Sequence, residues 1–172
     1  MIWDREAETM PRKELERLQT ERLKAVVQRV TKASVSVDGN VVGKIGQGLV
    51  ILIGIASEDT QRDVDYLVDK IAQLRIFSDE AGKFNISALE IGGEMLLISQ
   101  FTLLADTKKG RRPSFTGAAP PQQAELLFNT FVECMKHTGL KVETGRFQAH
   151  MVVEIHNDGP VTIMLDSKEK LG

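Results

Sequence analysis

The chain has 172 residues, 42% of them apolar, with a formal net charge of −2, which suits one compact core with little room for a second. No apolar run approaches the roughly eighteen residues of a membrane-spanning helix, and the charged start Met1-Ile2-Trp3-Asp4-Arg5-Glu6 lacks the apolar middle of a signal peptide. Cys134 is the sole cysteine, so an internal disulfide is excluded and a cytoplasmic, reducing setting is expected.

Residues 1–23 read as a polar helix appended to the rest. Leu15, Leu18 and Leu23 lie loosely on one side among Arg12, Lys13, Glu14, Glu16 and Arg17, and Pro11 suits a first turn. Residues 24–172 form the second unit. From Ala25 the pattern turns to strands: Ala33, Val35 and Val37 alternate with Lys32, Ser34 and Ser36. Asp38-Gly39-Asn40 supplies hairpin turn chemistry before Val41-Val42. Gly46-Gln47-Gly48 leads into the apolar run Leu49 to Ala56, interrupted by Gly54, whose length suits a buried strand.

A helix is predicted next, with Val64, Leu67, Val68, Ile71 and Leu74 on one side and Ser57, Asp59 or Thr60 as its cap. Ser78 to Lys83 is a surface turn. After Phe84 to Ile91 and a Gly92-Gly93 turn, Met95 to Leu104 reads as one apolar strand. Ala105 to Pro121 is a long loop with three prolines and a basic cluster, the kind of loop that often carries function. A second helix is predicted from about Gln122 to His137, with Ala124, Leu127, Phe128, Phe131 and Met135 inward and Gly139 at its C-terminal cap. Leu140 to Thr144, Met151 to His156 and Val161 to Leu165 are three closing strands. The expected fold is α/β (α+β), a mixed β-sheet sandwich or barrel-like sheet with two long helices, and not a doubly wound sheet.

Few residues suggest chemistry by spacing alone. His137, His150 and His156 share no ligand spacing with Cys134, so no metal is expected. Gly43-Lys44-Ile45-Gly46-Gln47-Gly48 precedes a strand and opens no helix, which leaves it a turn rather than a phosphate loop. There is no Gly-x-Ser-x-Gly elbow, although remote triad partners stay open. Ser99 and Thr102 close an apolar strand just before the long loop, where ligand sites often open; strand-end hydrogen bonding is the plainer reading of the pair. Asp158-Gly159-Pro160 reads as ordinary turn punctuation. Lys108, Lys109, Arg111 and Arg112 form either a solvated loop or a phosphate-binding patch.

Four ordered stretches resemble the D-aminoacyl-tRNA deacylase (D-tyrosyl-tRNA deacylase) family. They are Ala25-Val26-Val27-Gln28-Arg29-Val30 followed by Ala33-Ser34-Val35; Ser99-Gln100-Phe101-Thr102-Leu103; Lys109-Gly110-Arg111-Arg112-Pro113-Ser114-Phe115; and Asn157-Asp158-Gly159-Pro160-Val161-Thr162. The similarity runs from about Lys24 to Ser167. It implies a homodimer with its active sites at the interface, acting on D-aminoacyl-tRNA without a cofactor, a membrane or DNA. Ser99, Gln100, Phe101 and Thr102 would line the pocket for the tRNA's 3′-terminal adenosine and the ester. Gly159 and Pro160, joined by a cis bond, would enter the partner subunit's pocket, capture the α-amino group and exclude an L side chain. Arg29 would hold that pair in orientation, Met151 would keep its place in the pocket wall, and Lys108, Lys109, Arg111 and Arg112 would bind tRNA.

Such a site is expected to select by exclusion, so varied D residues enter, and glycine mischarged on tRNA-Ala is a further expected substrate. Its matched motifs hold no base other than Asp158, which favours assistance from the substrate's own 2′-OH over Thr102 as nucleophile. Two departures stand out. Phe147-Gln148-Ala149-His150-Met151 lies where many relatives have glycine after the phenylalanine, which reshapes the pocket wall. Residues 1–23 are instead similar to the N-terminus of phenylacetate–coenzyme A ligase-type enzymes, at a length too short for an adenylation site. The competing readings are a generic Ser/Thr esterase, disfavoured by the basic loop, and a tRNA-binding module without turnover.

Overall fold

A computed structural model of the chain describes residues 11–13 and 21–171. The N-terminal helix expected over residues 1–23 therefore lies mostly outside the described residues. Leu23, expected on that helix, instead carries no helical structure and is 0% exposed, as part of the core.

The hub of the fold is β1 (Lys24–Val37), whose alternating residues Ala25, Val27, Ala33, Val35 and Val37 are buried. One of its edges pairs antiparallel first with β3 (Gly48–Gly54) and then with β2 (Asn40–Ile45); the other pairs with β8 (Val152–Asp166). The β1–β2 turn has Asp38 and Gly39 at φ of 50° and 78°, the left-handed pair that a two-residue hairpin needs. β3 and β6 (Glu94–Ser99) run parallel, as do β6 and β7 (Val142–Thr144). The sheet curls into a nearly closed barrel. Where β2 meets β7, a Cβ on Gly43 would lie 2.7 Å from the Thr144 carbonyl oxygen.

Two helices cover the outside of this sheet. In α1 (Gln61–Gln73), Val64, Leu67, Val68 and Ile71 are buried, and the Asp63 carboxylate accepts the Thr60 N–H at 2.8 Å at its start. After the short β4 (Phe77–Ser78), β5 (Phe84–Ile86) and α2 (Ala88–Ile91), the chain reaches β6; α3 (Pro121–His137) then starts with proline in its first turn. Ala124, Phe128, Phe131, Val132 and Met135 of α3 pack with α1 against Ala25, Val27, Leu49, Ile51, Ile53, Met95 and Leu97. The alternate residues Val50, Leu96 and Ile98 face the barrel interior with Val30, Ala33, Val35 and Ile45. Burial on both faces explains why β3 and β6 read as continuous apolar runs. Truncating fully buried Phe131 to alanine is worth about 3–5 kcal/mol of lost stability.

Asp59 ties the start of this core together. Its carboxylate accepts the Leu23 N–H at 2.8 Å and the Ala56 N–H at 2.6 Å. Burial nevertheless pushes its carboxyl up to about 7, because desolvation of the charge outweighs those two bonds.

Two predicted boundaries move. The strand expected to run from Met95 to Leu104 stops at Ser99, and Phe101–Leu104 is a 3₁₀ turn. The Gln100 N–H still bonds the Ile53 carbonyl at 2.7 Å, but the Leu103 N–H folds back onto the Gln100 carbonyl at 3.2 Å. An apolar run that short does not distinguish strand from helical turn. The strands expected at Met151–His156 and Val161–Leu165 are one strand, β8, held along most of its length by β1.

Candidate active site

β8 carries an excursion at its centre. Val30 pairs with Asn157 and Gln28 with Thr162, so the four residues Asp158 to Val161 oppose Arg29 alone. The extra chain is stitched at its base by the Asn157 side-chain amide, which donates to the Arg29 carbonyl at 3.0 Å and the Val161 carbonyl at 2.9 Å. Gly159 and Pro160 stand exposed on it, joined by a cis peptide. Gly159 has φ of 124°, and a Cβ there would lie 2.8 Å from Val161 Cγ2 and 3.1 Å from Arg29 Nη2. Glycine is required at this point.

Arg29 lies beneath the excursion. It is 9% exposed. Its Nε donates to the Asp158 carbonyl at 3.2 Å and meets the Asp158 carboxylate at 3.1 Å. Its Nη1 donates to the Ile76 carbonyl at 2.8 Å, and its guanidinium sits 5.4 Å over the Phe84 ring. A planar fork can serve several partners at once, which lysine cannot do.

Apart from this excursion, a cavity of about 640 Å³ opens where β6 gives way to the 3₁₀ turn. Ser99, Gln100 and Phe101 form one side; Phe115 and the segment Ala118 to Pro121 form another; Phe147 to Met151 and Val153 close it. The far wall is held in register with β3: the Ala119 N–H bonds the Ile55 carbonyl at 2.9 Å and the Ser57 N–H bonds the Gly117 carbonyl at 3.1 Å. Phe101 meets Phe115 edge-on at 4.9 Å between ring centres. The lining is largely apolar, and it includes no carboxylate.

The expected site residues thus fall into three places. Ser99, Gln100, Phe101 and Met151 line the cavity. Thr102 is exposed beside it, outside the lining, and its hydroxyl accepts a hydrogen bond from the Gln100 side chain. Arg29, Gly159 and Pro160 lie together on β1 and β8 and do not line the cavity. Lys108, Lys109, Arg111 and Arg112 are exposed at the tip of a finger closed at its base by paired Asp106 and Ser114, whose backbones exchange hydrogen bonds of 2.7 and 2.9 Å. Among the described residues no helix is long and apolar enough to cross a membrane.

Sequence reasoning missed the aromatic and alanine wall at Phe115 and Ala118 to Pro121. Its signal was the proline-rich end of the long loop, where only the basic cluster was singled out. The stretch Phe147 to Met151, expected to reshape the pocket wall, does line the cavity, Gln148 and His150 included.

A family model described as D-Tyr-tRNA(Tyr) deacylase matches residues 26–166. The D-aminoacyl-tRNA deacylase of Dehalococcoides mccartyi is 57% identical over 149 residues, covering 87% of this chain and 97% of the relative. That of Caldicellulosiruptor saccharolyticus is 58% identical over 147 residues, covering 86% and 99%. Among solved structures, one titled c-Myc DNA Unwinding Element Binding Protein superposes with a TM-score of 0.79 at 47% identity, covering 83% of this chain and 97% of the other. A probable eukaryotic D-amino acid tRNA deacylase shares the fold, with a TM-score of 0.75 at 17% identity over 84% of this chain and 98% of the other.

Proposed function

Because the chain belongs to the D-Tyr-tRNA(Tyr) deacylase family, a family of hydrolases, we propose that it cleaves the ester joining a D-amino acid to the 3′-terminal adenosine of tRNA in the cytoplasm. The observation that carries this reading is the separation of two features. A cavity without a carboxylate holds Ser99, Gln100 and Phe101, while exposed Gly159 and Pro160 stand outside it on a strand of the same subunit.

A second copy of the chain joins the two. Val152 and Met164 on β8 are 65% and 75% exposed, and Val42, Leu52, Met151, Val153 and Ile155 are only partly buried over the barrel core. Apolar surface of this kind favours a subunit contact. In the resulting homodimer, Gly159 and Pro160 of one subunit close the cavity of the other. Their backbone groups bind the substrate's α-amino group and leave no space for an L side chain. Glycine, having no side chain, passes the same gate, so glycyl-tRNA mischarged on tRNA-Ala is a second substrate. Arg29 positions the gate from below, and residues 1–23 are an appended segment outside this machinery.

In the reaction, water adds to the ester carbonyl carbon, the bond to the ribose oxygen breaks, and that oxygen leaves with a proton. Free tRNA and a D-amino acid result. The cavity wall supplies hydroxyl and amide groups, which stabilise a developing oxyanion better than they accept a proton. The substrate's own 2′-OH therefore assists the attack. Lys108, Lys109, Arg111 and Arg112 hold the phosphates of the acceptor end.

Hydrolysis of D-Tyr-tRNA measured beside L-Tyr-tRNA tests the whole reading. D-selective turnover is expected. Turnover of both alike would point to a generic esterase, and tRNA binding without turnover to a binding module; either result overturns the proposal.

A further inference from the structure

Gln148 stands in the cavity wall with φ of 62°. Glycine enters this left-handed region freely, whereas a residue with a Cβ does so at a cost. The surrounding wall is fixed. The Ala149 N–H bonds the Arg146 carbonyl at 3.2 Å, and a Cβ on Gly145 would collide with Met151 Sδ. Phe147 packs against Phe128 with ring centres 6.4 Å apart. Glycine at position 148 would satisfy this backbone without strain. A long side chain kept there, at the edge of a cavity, points to work for its carboxamide.

That carboxamide is unengaged. Gln148 is exposed and has no hydrogen-bond partner among the described residues, whereas the Gln100 amide is bound to Thr102. A glutamine carboxamide sets one donor beside one acceptor, the complement of adenine's amino group and adjoining ring nitrogen. Phe101, Phe115 and Phe147 line the same cavity and offer ring faces on which a base can stack.

We infer that Gln148 is a specificity-determining residue that reads the edge of the substrate's 3′-terminal adenine. The inference rests on the proposal that this cavity receives the aminoacyl-adenosine end of tRNA. Gln148 follows β7, the strand paired with β6, and Ser99 ends β6, so the base edge and the ester are held by neighbouring walls of one cavity.

The test compares D-Tyr-tRNA ending in adenosine with the same tRNA ending in unsubstituted purine riboside, which lacks the amino group. The wild-type protein is expected to favour adenosine in kcat/KM by roughly tenfold. Gln148→Gly should lose most of that preference through a higher KM, keep kcat, and melt at a higher temperature because the strain is gone. Gln148→Glu keeps the length and the strain but not the donor; it should lose the preference without the rise in melting temperature. Retention of the adenine preference by Gln148→Gly, with D-selective turnover intact, would overturn the inference and leave the deacylase reading standing. A changed dimer affinity at unchanged KM would likewise overturn it, assigning Gln148 to the subunit contact. Absence of any D-Tyr-tRNA hydrolysis by the wild type would overturn the deacylase reading, and this inference with it.

Discussion

Arg29→Ala separates the buried fork from the ion pair as the support of the Gly159-Pro160 excursion. Arg29 is 9% exposed, and its loss leaves the Ile76 carbonyl, bonded to Nη1 at 2.8 Å, without that donor in a buried place. A hydrogen bond from a charged donor contributes about 1.5–3 kcal/mol. The contact with Asp158 Oδ2 at 3.1 Å adds less, because the Asp158 side chain is 47% exposed and solvent-screened pairs give about 0–1 kcal/mol. The cation over Phe84 contributes about 0.5–1 kcal/mol. The expected cost is about 3 kcal/mol, a fall of roughly 6–12 °C in Tm for a chain of this size.

Asp158→Ala removes the carboxylate and keeps the backbone carbonyl that accepts from Nε, so its cost should stay below about 1 kcal/mol. Urea denaturation of both variants gives the two stabilities, and D-Tyr-tRNA and L-Tyr-tRNA hydrolysis gives their selectivity. Arg29→Ala should lose discrimination as the gate loses its support; Asp158→Ala should keep most of it. Equal destabilisation by the two substitutions would refute the assignment, because the ion pair and not the buried fork would then be the support.

Thr102→Ala should hydrolyse D-Tyr-tRNA at near-native rate, while a substrate with a 2′-deoxy terminal ribose should be poor; an inactive Thr102→Ala in a normally folded protein would restore the threonine as nucleophile. Replacing Arg111 and Arg112 by glutamine should weaken tRNA binding and reduce its dependence on log salt by about two units of slope, and an unchanged slope in a binding titration would remove the finger from the tRNA contact. Burial raises the Asp59 carboxyl from 3.8 to about 7, so the folded state holds a proton that the unfolded chain has already released. Stability from this group is full below the unfolded pKa and falls as pH rises through the folded one. Thermal melts between about pH 4 and about pH 7.5 should show a downward component that Asp59→Asn lacks; parallel profiles for the two proteins would exclude it.

The order of elements was legible in the sequence because local rules and tertiary demands agree over most of the chain. Val64, Leu67, Val68 and Ile71 mark the inner face of α1 by spacing alone, and Asp38-Gly39 specifies its turn by backbone preference. The ends of β6 were not legible. Phe101-Thr102-Leu103-Leu104 is apolar enough for a strand, and what turns it into a 3₁₀ helix is the Leu103 N–H folding back on Gln100. The excursion on β8 was hidden for a similar reason: a glycine and proline between two apolar runs look like a loop, and only pairing with β1 on both sides reveals one strand bulging over Arg29.

Ser99 to Thr102 and Gly159-Pro160 were set apart by the order of four motifs, which fixes residue types but not their distance from one another. Sequence by itself determined the fold class, through its periodicity, and the family, through the resemblance of four ordered motifs, which also set these two stretches apart. Tertiary structure decided the rest. It set Ser99, Gln100 and Phe101 in the cavity, left Thr102 at its side, and held Gly159-Pro160 outside it on a separate strand. It also gave Gln148, expected in the pocket wall, a left-handed backbone that glycine would take more easily. Those placements depend on how β1, β6 and β8 curve around one core, and contacts between residues more than a hundred positions apart leave no local trace in the chain.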